Sequence, residues 1–306
     1  MSNRIGVLGA SGYVGGAVVR ALRSNGYDVR PAAGSSHDAY PTVDVRDRGA
    51  VESFVDGLDA VVNTAGLVGV GACDSQPDLA FEVNATGAAN VAWACQQRQV
   101  PLVHLSSVAA IGDPPNRPIA ATSPRNPTTT YGRTKLLGER AVRSLTGDRT
   151  PSISLCVTNV YGTSDDASEG GNSVVDFFVD RGCAGEPLPV HRPGTQERDL
   201  VHVRDVAEAI VAALDSVDAG YSESRSHVLG SGTAYSVLEL AGLVASELRT
   251  ATGRSPGIEL HENPNADSSV IEQFEIDTRP LESDLGFTPD RELREWIATE
   301  IDRRMN

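Results

Sequence analysis

A short apolar strand at residues 4–8 runs directly into Gly9-Ala10-Ser11-Gly12-Tyr13-Val14-Gly15-Gly16, and residues 14–22 continue with apolar groups at helical spacing. This strand–turn–helix junction constrains the chain more than any other feature. In a G-x-x-G-x-x-G turn the first glycine (Gly9) permits the tight reversal. The second (Gly12) lets backbone approach a pyrophosphate, and the third (Gly15) lets the helix pack on the strand. The helix N-terminus then presents free N–H groups and partial positive charge to phosphate. The motif predicts the first crossover of a parallel sheet and a dinucleotide site, with Ser11, Tyr13 and Val14 around the turn. The chain has no G-x-x-x-x-G-K-[ST] sequence, which argues against a P-loop nucleotidase.

The alternation continues downstream. Strands are predicted at 27–33, 58–63, 101–105 and 152–158, and helices at 50–55, 77–97 and 131–145. Strands alternating with helices mean a parallel sheet covered on both faces, so the fold class is α/β, a doubly wound Rossmann sheet. Beyond residue 163 the pattern loosens. A helix at 206–214, a strand at 226–229 and helices at 237–248 and 291–303 are separated by Gly- and Pro-containing stretches at 170–171 and 186–194 and a polar excursion at 251–269. The expected division is a dinucleotide-binding domain over 1–163, with about 198–232 returning to it. A smaller interleaved α/β substrate domain covers 164–197 and 233–306.

The 306 residues are enough for two such units. Net charge is −15, from 41 acidic and 26 basic residues, which argues against nucleic acid as a partner. Any anionic ligand must be held by local arginines and helix N-termini against that field. No apolar run reaches the ~18 residues of a membrane span, and the N-terminus lacks the apolar stretch of a secretory signal, so no membrane partner and a cytoplasmic location are expected. Cys73, Cys95, Cys156 and Cys183, and the six histidines, lack metal-ligand spacing, so no metal is expected.

An NAD site usually places an acid at the end of the second strand, on the ribose hydroxyls. Here that end reads Ala33-Gly34-Ser35-Ser36-His37, with Ala33 at the acid position and Arg30 and His37 nearby. Small hydroxyl residues beside basic groups would accommodate a 2′-phosphate, which favours NADP(H) while leaving NAD(H) open. Asp44 and Val45 follow the loop and are candidates for the adenine.

Tyr131-Gly132-Arg133-Thr134-Lys135 puts a phenol and an ammonium at i and i+4, on one helix face. Lys135 is the single lysine of the chain. A free tyrosine, with a pKa near 10, is a poor acid–base group at neutral pH; a neighbouring ammonium and a nicotinamide cation would lower that pKa and allow proton exchange with a substrate oxygen. Ser106 and Ser107 follow the predicted strand at 101–105, whose C-terminal end faces the ligand in this class of sheet. Ser107 is the candidate for polarising a carbonyl.

These residues together resemble the extended short-chain dehydrogenase/reductases, the NAD-dependent epimerase/dehydratase group. The similarity runs through Gly9-x-x-Gly12-x-x-Gly15, Asn63-Thr64-Ala65-Gly66, Ser106-Ser107 and Tyr131-x-x-x-Lys135, and covers essentially the whole chain. It implies a cofactor role for Asn63, Thr64, Ala65, Gly66, Asn84 and Val160, with catalysis by Ser107, Tyr131 and Lys135. It further implies a nucleotide-sugar substrate held by Ser107, Asn159, Asn172, Arg198 and Arg279, the two arginines on its diphosphate. Members of this group pair the helices at 77–97 and 131–145 into a homodimer interface.

The chain also departs from the group. Val108-Ala109 stand where its dehydratases carry an acidic pair, Ile111-Gly112 where many epimerases have Tyr-Gly, and Cys156 where an arginine precedes the Asn-Val-Tyr-Gly turn. The link from Ala33 to Asp44 is short, which resembles dTDP-4-dehydrorhamnose reductases more than UDP-galactose 4-epimerases. The leading expectation is therefore hydride transfer at C4 of a nucleotide sugar, first as an NADPH-dependent 4-keto reductase. An NAD-dependent 4-epimerase, a reductase of another small ketone or aldehyde, and a non-enzymatic NADP sensor stay open.

Overall fold

The computed structural model describes residues 3–163, 173–218, 224–262 and 273–305. The first half runs β1 (Arg4–Leu8), α1 (Tyr13–Ser24), β2 (Asp28–Ala32), α2 (Arg48–Val55), β3 (Ala60–Asn63), α3 (Val70–Ser75), α4 (Pro77–Phe81), a π-helical stretch at Glu82–Gly87, α5 (Ala88–Arg98), β4 (Leu102–Ser107), a 3₁₀ turn at Val108–Ala110, α6 (Thr130–Thr146) and β5 (Ser152–Val157). It continues with β6 (Asn159–Tyr161), α7 (Val174–Cys183), β7 (Leu188–His191), β8 (Glu197–His202), α8 (Val203–Asp218), β9 (Ser224–Leu229), β10 (Ala234–Ser236), α9 (Val237–Thr252), β11 (Ile258–His261), α10 (Arg279–Leu285) and α11 (Leu293–Met305).

Six parallel strands form the main sheet in the order β2-β1-β3-β4-β5-β9. Strands β3 and β5 are buried at every position, as the central strands of a sheet covered on both faces must be. One cover uses Val18 and Leu22 of α1 with Val206 and Ile210 of α8; the other uses Val51 and Phe54 of α2 with Val91 and Cys95 of α5. This is the α/β Rossmann-like fold expected from the alternation. The strand order reverses between β1 and β3, which opens a crevice at the carboxyl ends of both. Beyond β1 there is only β2. The link after it makes no further strand, because it doubles back: Ala33 N–H donates to Pro41 O at 2.9 Å and Val43 N–H to Ala33 O at 2.7 Å.

The helix expected at 77–97 is helical throughout but changes pitch at its middle, where Glu82–Gly87 is π-helical. Strand β4 extends through Ser106 and Ser107, so the two serines point to opposite faces. The sequence pattern missed the ten-residue helix α7 and several short elements. The short ones include the three-stranded sheet β10-β8-β6 and the parallel pair β11-β7, which lie in the loosely patterned second half. A third core joins Phe178 and Val179 of α7, Leu240 and Val244 of α9, and Ile297 and Ile301 of α11. Capping boxes start two of these helices: Ser173 with Asp176, and Ser236 with Glu239. Arg291, just before α11, pairs with Asp205 and Glu208 of α8 and fastens the C-terminal helix to the main sheet's cover. Among the described residues no helix is long and apolar enough to cross a membrane.

Candidate active site

A cleft opens where the strand order reverses. Its walls carry Gly9, Ser11, Gly12, Gly34, Ser35, Asp44, Val45, Thr64, Ala65 and Gly66, all expected there, together with Arg46, Leu79 and Val83, which sequence reasoning missed. The turn fits a dinucleotide. Gly9 has φ +79°, and a methyl group on Gly15 would lie 2.0 Å from Gly9 O, so helix and strand can approach only without side chains there. Gly12 N–H donates back to Gly9 O at 3.0 Å and begins α1 in extended conformation, which leaves the first-turn N–H groups of α1 for phosphate oxygens. Tyr13 turns away from the cleft, its hydroxyl donating to Gly162 O. Val14 is partly buried against the first core, as is Val160.

Several expected cofactor residues shape the wall from within or from just behind it. Asn63 is buried; its amide meets His104 Nδ1 at 3.3 Å and its carbonyl accepts from Ala65 N–H at 3.1 Å, shaping the turn after β3. Thr64 donates to Leu8 O at 2.8 Å and ties that turn to β1. Asn84 accepts from Leu67 N–H and donates to Leu67 O, both at 2.9 Å, and donates to Thr134 Oγ1 at 3.1 Å. The π-helical stretch aims this side chain at both the 66–67 loop and α6.

The catalytic candidates lie at the inner end of the cleft. A methyl group at Gly66 would be 3.8 Å from Lys135 Nζ, so the lysine borders the cleft wall. Lys135 is 5% exposed and donates to Leu105 O at 2.6 Å. Burial lowers its pKa to about 8. Gly132 sets the neighbouring geometry: a methyl there would sit 2.3 Å from Ala109 O, so only glycine lets α6 start this close to the turn after β4. The close approach brings Tyr131 beside Ser107, whose hydroxyl acts to lower the phenol's pKa. Ser107 Oγ also accepts from Ala109 N–H at 3.2 Å. The expected lowering of the phenol rests on the ammonium and a nicotinamide cation together, and Lys135 alone does not produce it. Burial pushes the Tyr131 pKa up, the Ser107 bond works against that rise, and the ammonium is engaged with Leu105 O instead.

Ser106, on the opposite face of β4, donates to Glu139 Oε2 at 3.2 Å. Glu139 stands one turn after Lys135 on α6 and pairs with Arg125 at 2.5 Å; both side chains are largely buried. The Arg125 guanidinium lies 4.0 Å from Cys156 Sγ. At the strand position where an arginine was expected and a cysteine stands, a guanidinium thus arrives from the loop before α6. Spacing gave no sign of this pair, because it joins two segments that only the fold brings together.

At the outer end two expectations need correction. Ala33 is fully buried and Gly34 takes the wall position, with open space where its side chain would project. Arg30 points the other way: its guanidinium donates to Phe54 O and Asp56 O, both at 3.0 Å, because alternation along β2 directs it toward α2. His37 stacks on Tyr40. The exposed Ser36 is not among the lining residues. Asp44 lines the cleft, with Arg46 gripping both its carboxylate oxygens and also meeting Glu82 at 2.9 Å.

On the substrate side, Asn159 donates to Asp199 O at 3.0 Å, which ties β6 to β8. Arg198 donates to Glu197 O at 2.7 Å, has no carboxylate partner among the described residues, and has its pKa lowered by burial. Such a cation is available to an anion. Arg279 is different: 84% exposed and held bidentately by Asp277, it is a solvated pair and not part of a cleft. Asn172 lies outside the described residues.

The family described as NAD dependent epimerase/dehydratase matches residues 5–228. A probable low-salt glycan biosynthesis reductase of Haloferax volcanii is 34% identical over 53% of this chain and 55% of its own length. A UDP-glucose 4-epimerase of Bacillus subtilis is 30% identical over 76% of this chain and 79% of its own. The structure of a UDP-glucose 4-epimerase from Stenotrophomonas maltophila, with bound NAD and formylated UDP-arabinopyranose, superposes with a TM-score of 0.84 at 25% identity, covering 99% of this chain and 98% of that one.

Proposed function

The chain belongs to the NAD dependent epimerase/dehydratase family, and from that premise we propose that it moves hydride at C4 of a nucleotide sugar, working first of all as an NADPH-dependent 4-keto reductase. The observation that carries this reading is the half-buried Tyr131 phenol beside the Ser107 hydroxyl, with the Lys135 ammonium one turn behind it. A phenol whose pKa is pushed up stays protonated at neutral pH, which suits a donor to a carbonyl oxygen and not a base. Ser107 polarises that carbonyl, Tyr131 supplies its proton, and Lys135 orients the ribose hydroxyls. The dinucleotide, when bound, supplies the hydride. Gly9, Gly12 and the start of α1 hold its diphosphate. Arg198 receives the diphosphate of the sugar nucleotide, and Asn159 supports the strand that presents it.

Relatives of both kinds bear on the choice of reaction. The Haloferax reductase has the higher identity but matches only half the chain, whereas the Bacillus epimerase matches three quarters of it. A second reading, an NAD-dependent 4-epimerase, draws on the engaged basic groups at the adenosine end. Arg30 and Arg46 are both committed to other partners, which leaves fewer cations for a 2′-phosphate. The deciding experiment mixes the protein with NADPH or NADH and a panel of 4-keto and 4-hydroxy nucleotide sugars. Stoichiometric loss of reduced cofactor with a 4-keto sugar supports the reductase. Interconversion of C4 epimers without net cofactor consumption supports the epimerase. Consumption with simple ketones alone removes the nucleotide sugar from the proposal.

Two further expectations stand as part of this reading. The separate core of α7, α9 and α11 supports a substrate domain over 164–197 and 233–306, with the remainder binding the dinucleotide. Exposed Phe81 on α4 and Leu137 on the neighbouring α6 support a homodimer through these helices. A monomeric mass by light scattering at micromolar concentration would remove the dimer.

A further inference from the structure

A second cavity, of about 760 Å³, lies along α6 and the edge strand β9, and shares no lining residue with the dinucleotide cleft. Its walls carry three guanidinium groups, Arg125, Arg140 and Arg143, and a single carboxylate, Glu139. That carboxylate is already occupied: it pairs with Arg125 and accepts from Ser106 and Ser226. Among the described residues neither Arg140 nor Arg143 has a carboxylate partner. Arg125 Nη1 likewise has no acceptor among the described residues, and it is sealed from solvent behind the cavity wall. Ser224, which accepts from Ser152, adds a hydroxyl to the cavity lining.

The surrounding charge makes this arrangement informative. In a chain of net charge −15, three cations around one cavity with one neutralised acid form a local reversal of the protein's field. The planar forks of arginine match the oxygens of a phosphate, and hydroxyl donors complete its shell. We propose that this cavity binds a phosphorylated small molecule of at least two negative charges, at a site separate from both the dinucleotide and the substrate. The chemistry is shared by free pyrophosphate and by a phosphorylated sugar.

The test is calorimetric titration of the full chain at fixed ionic strength, with the dinucleotide cleft saturated, using inorganic pyrophosphate in one arm and a hexose 1-phosphate in the other. Saturable binding in either arm is expected, and the tighter arm identifies the source. The double variant Arg140→Ala, Arg143→Ala alters two outer residues of α6, so it should fold as the wild type does and keep its turnover. It should weaken this binding at least about tenfold, a loss of about 1.4 kcal/mol. Arg198→Ala should leave the binding unchanged. Absence of saturable binding in both arms, equal affinity in the double variant and wild type, or binding that disappears with Arg198→Ala would each overturn the proposal.

Discussion

The two ends of the dinucleotide cleft are built differently. At the inner end Lys135, Asn84 and Ser107 are buried, and each is tied by hydrogen bonds to backbone or to a neighbouring hydroxyl. At the outer end Asp44, Arg46 and Glu82 form ion pairs with half-exposed side chains beside Gly34 and Ser35. Removing a partner from a buried polar group leaves an unmet bond worth about 1–3 kcal/mol, whereas an exposed ion pair is worth about 0–1 kcal/mol. The inner end therefore has one workable geometry and the outer end several. Chemistry needs the first kind of wall; discrimination between two closely similar cofactors can be tuned on the second.

Tyr131→Phe tests the inner end most severely. It deletes the proton donor and little else, so turnover should fall by roughly 10²–10⁴-fold while dinucleotide affinity, read by fluorescence titration, stays near wild type. Turnover within a few-fold of wild type would show that this end is no more demanding than the other. Next in size is Arg125→Ala, which leaves the largely buried Glu139 carboxylate unpaired behind Lys135. Urea denaturation should show a loss of about 3–5 kcal/mol. Adding Cys156→Arg to that variant returns a guanidinium from the neighbouring strand and should recover part of the loss. No recovery would mean that the loop arginine does not replace the strand arginine.

A pH profile sharpens the same contrast. Lys135 has a folded pKa of about 8, below its ordinary value, so its ammonium is present below about pH 8 and is lost as pH rises through that value. Reduction needs both this ammonium and a protonated Tyr131, so kcat/KM should decline above about pH 8, toward tenfold per unit. The stability linkage has its own sign. Between about pH 8 and the ordinary lysine range the unfolded chain binds the proton that the folded chain releases, so this residue's contribution to stability improves as pH rises there. Lys135→Met should remove both trends; a profile left unchanged in the variant would assign the decline to another group.

What could be read from the sequence follows from how local each signal is. The glycine turn and the Tyr131/Lys135 pair are set by spacing within one turn or one helix, and both appear where expected. Arg125 and Glu139 are fourteen residues apart, on a loop and a helix, and no periodicity links them. Asn84 lies behind the cleft wall, and its bonds to Leu67 and Thr134 depend on a π-helical stretch that apolar spacing does not encode. Arg30 was misjudged because side-chain alternation on a short edge strand turns on a single residue of register. The short strands β6, β7, β10 and β11 have three or four residues each, too few for an alternating pattern to stand out.

The smallest effect concerns the outer end, where that one-residue register matters most. Gly34 lines the cleft with open space at its side-chain position, while Ala33 is fully buried. Gly34→Asp should therefore place a carboxylate where a ribose 2′-substituent comes. It can accept from the hydroxyls of NAD and repel the phosphate of NADP. At an effective dielectric of 20, like charges ~5 Å apart repel by about 3 kcal/mol before screening, and salt at this exposed position removes most of it. What remains should shift the NADPH/NADH ratio of kcat/KM several-fold toward NADH without reducing stability. Ala33→Asp should do the reverse, costing stability because its carboxylate is buried, and changing selectivity little. If Ala33→Asp proved the selective variant and Gly34→Asp silent, the outer wall would be one residue out of register and the cleft's two ends would no longer differ in the way argued above.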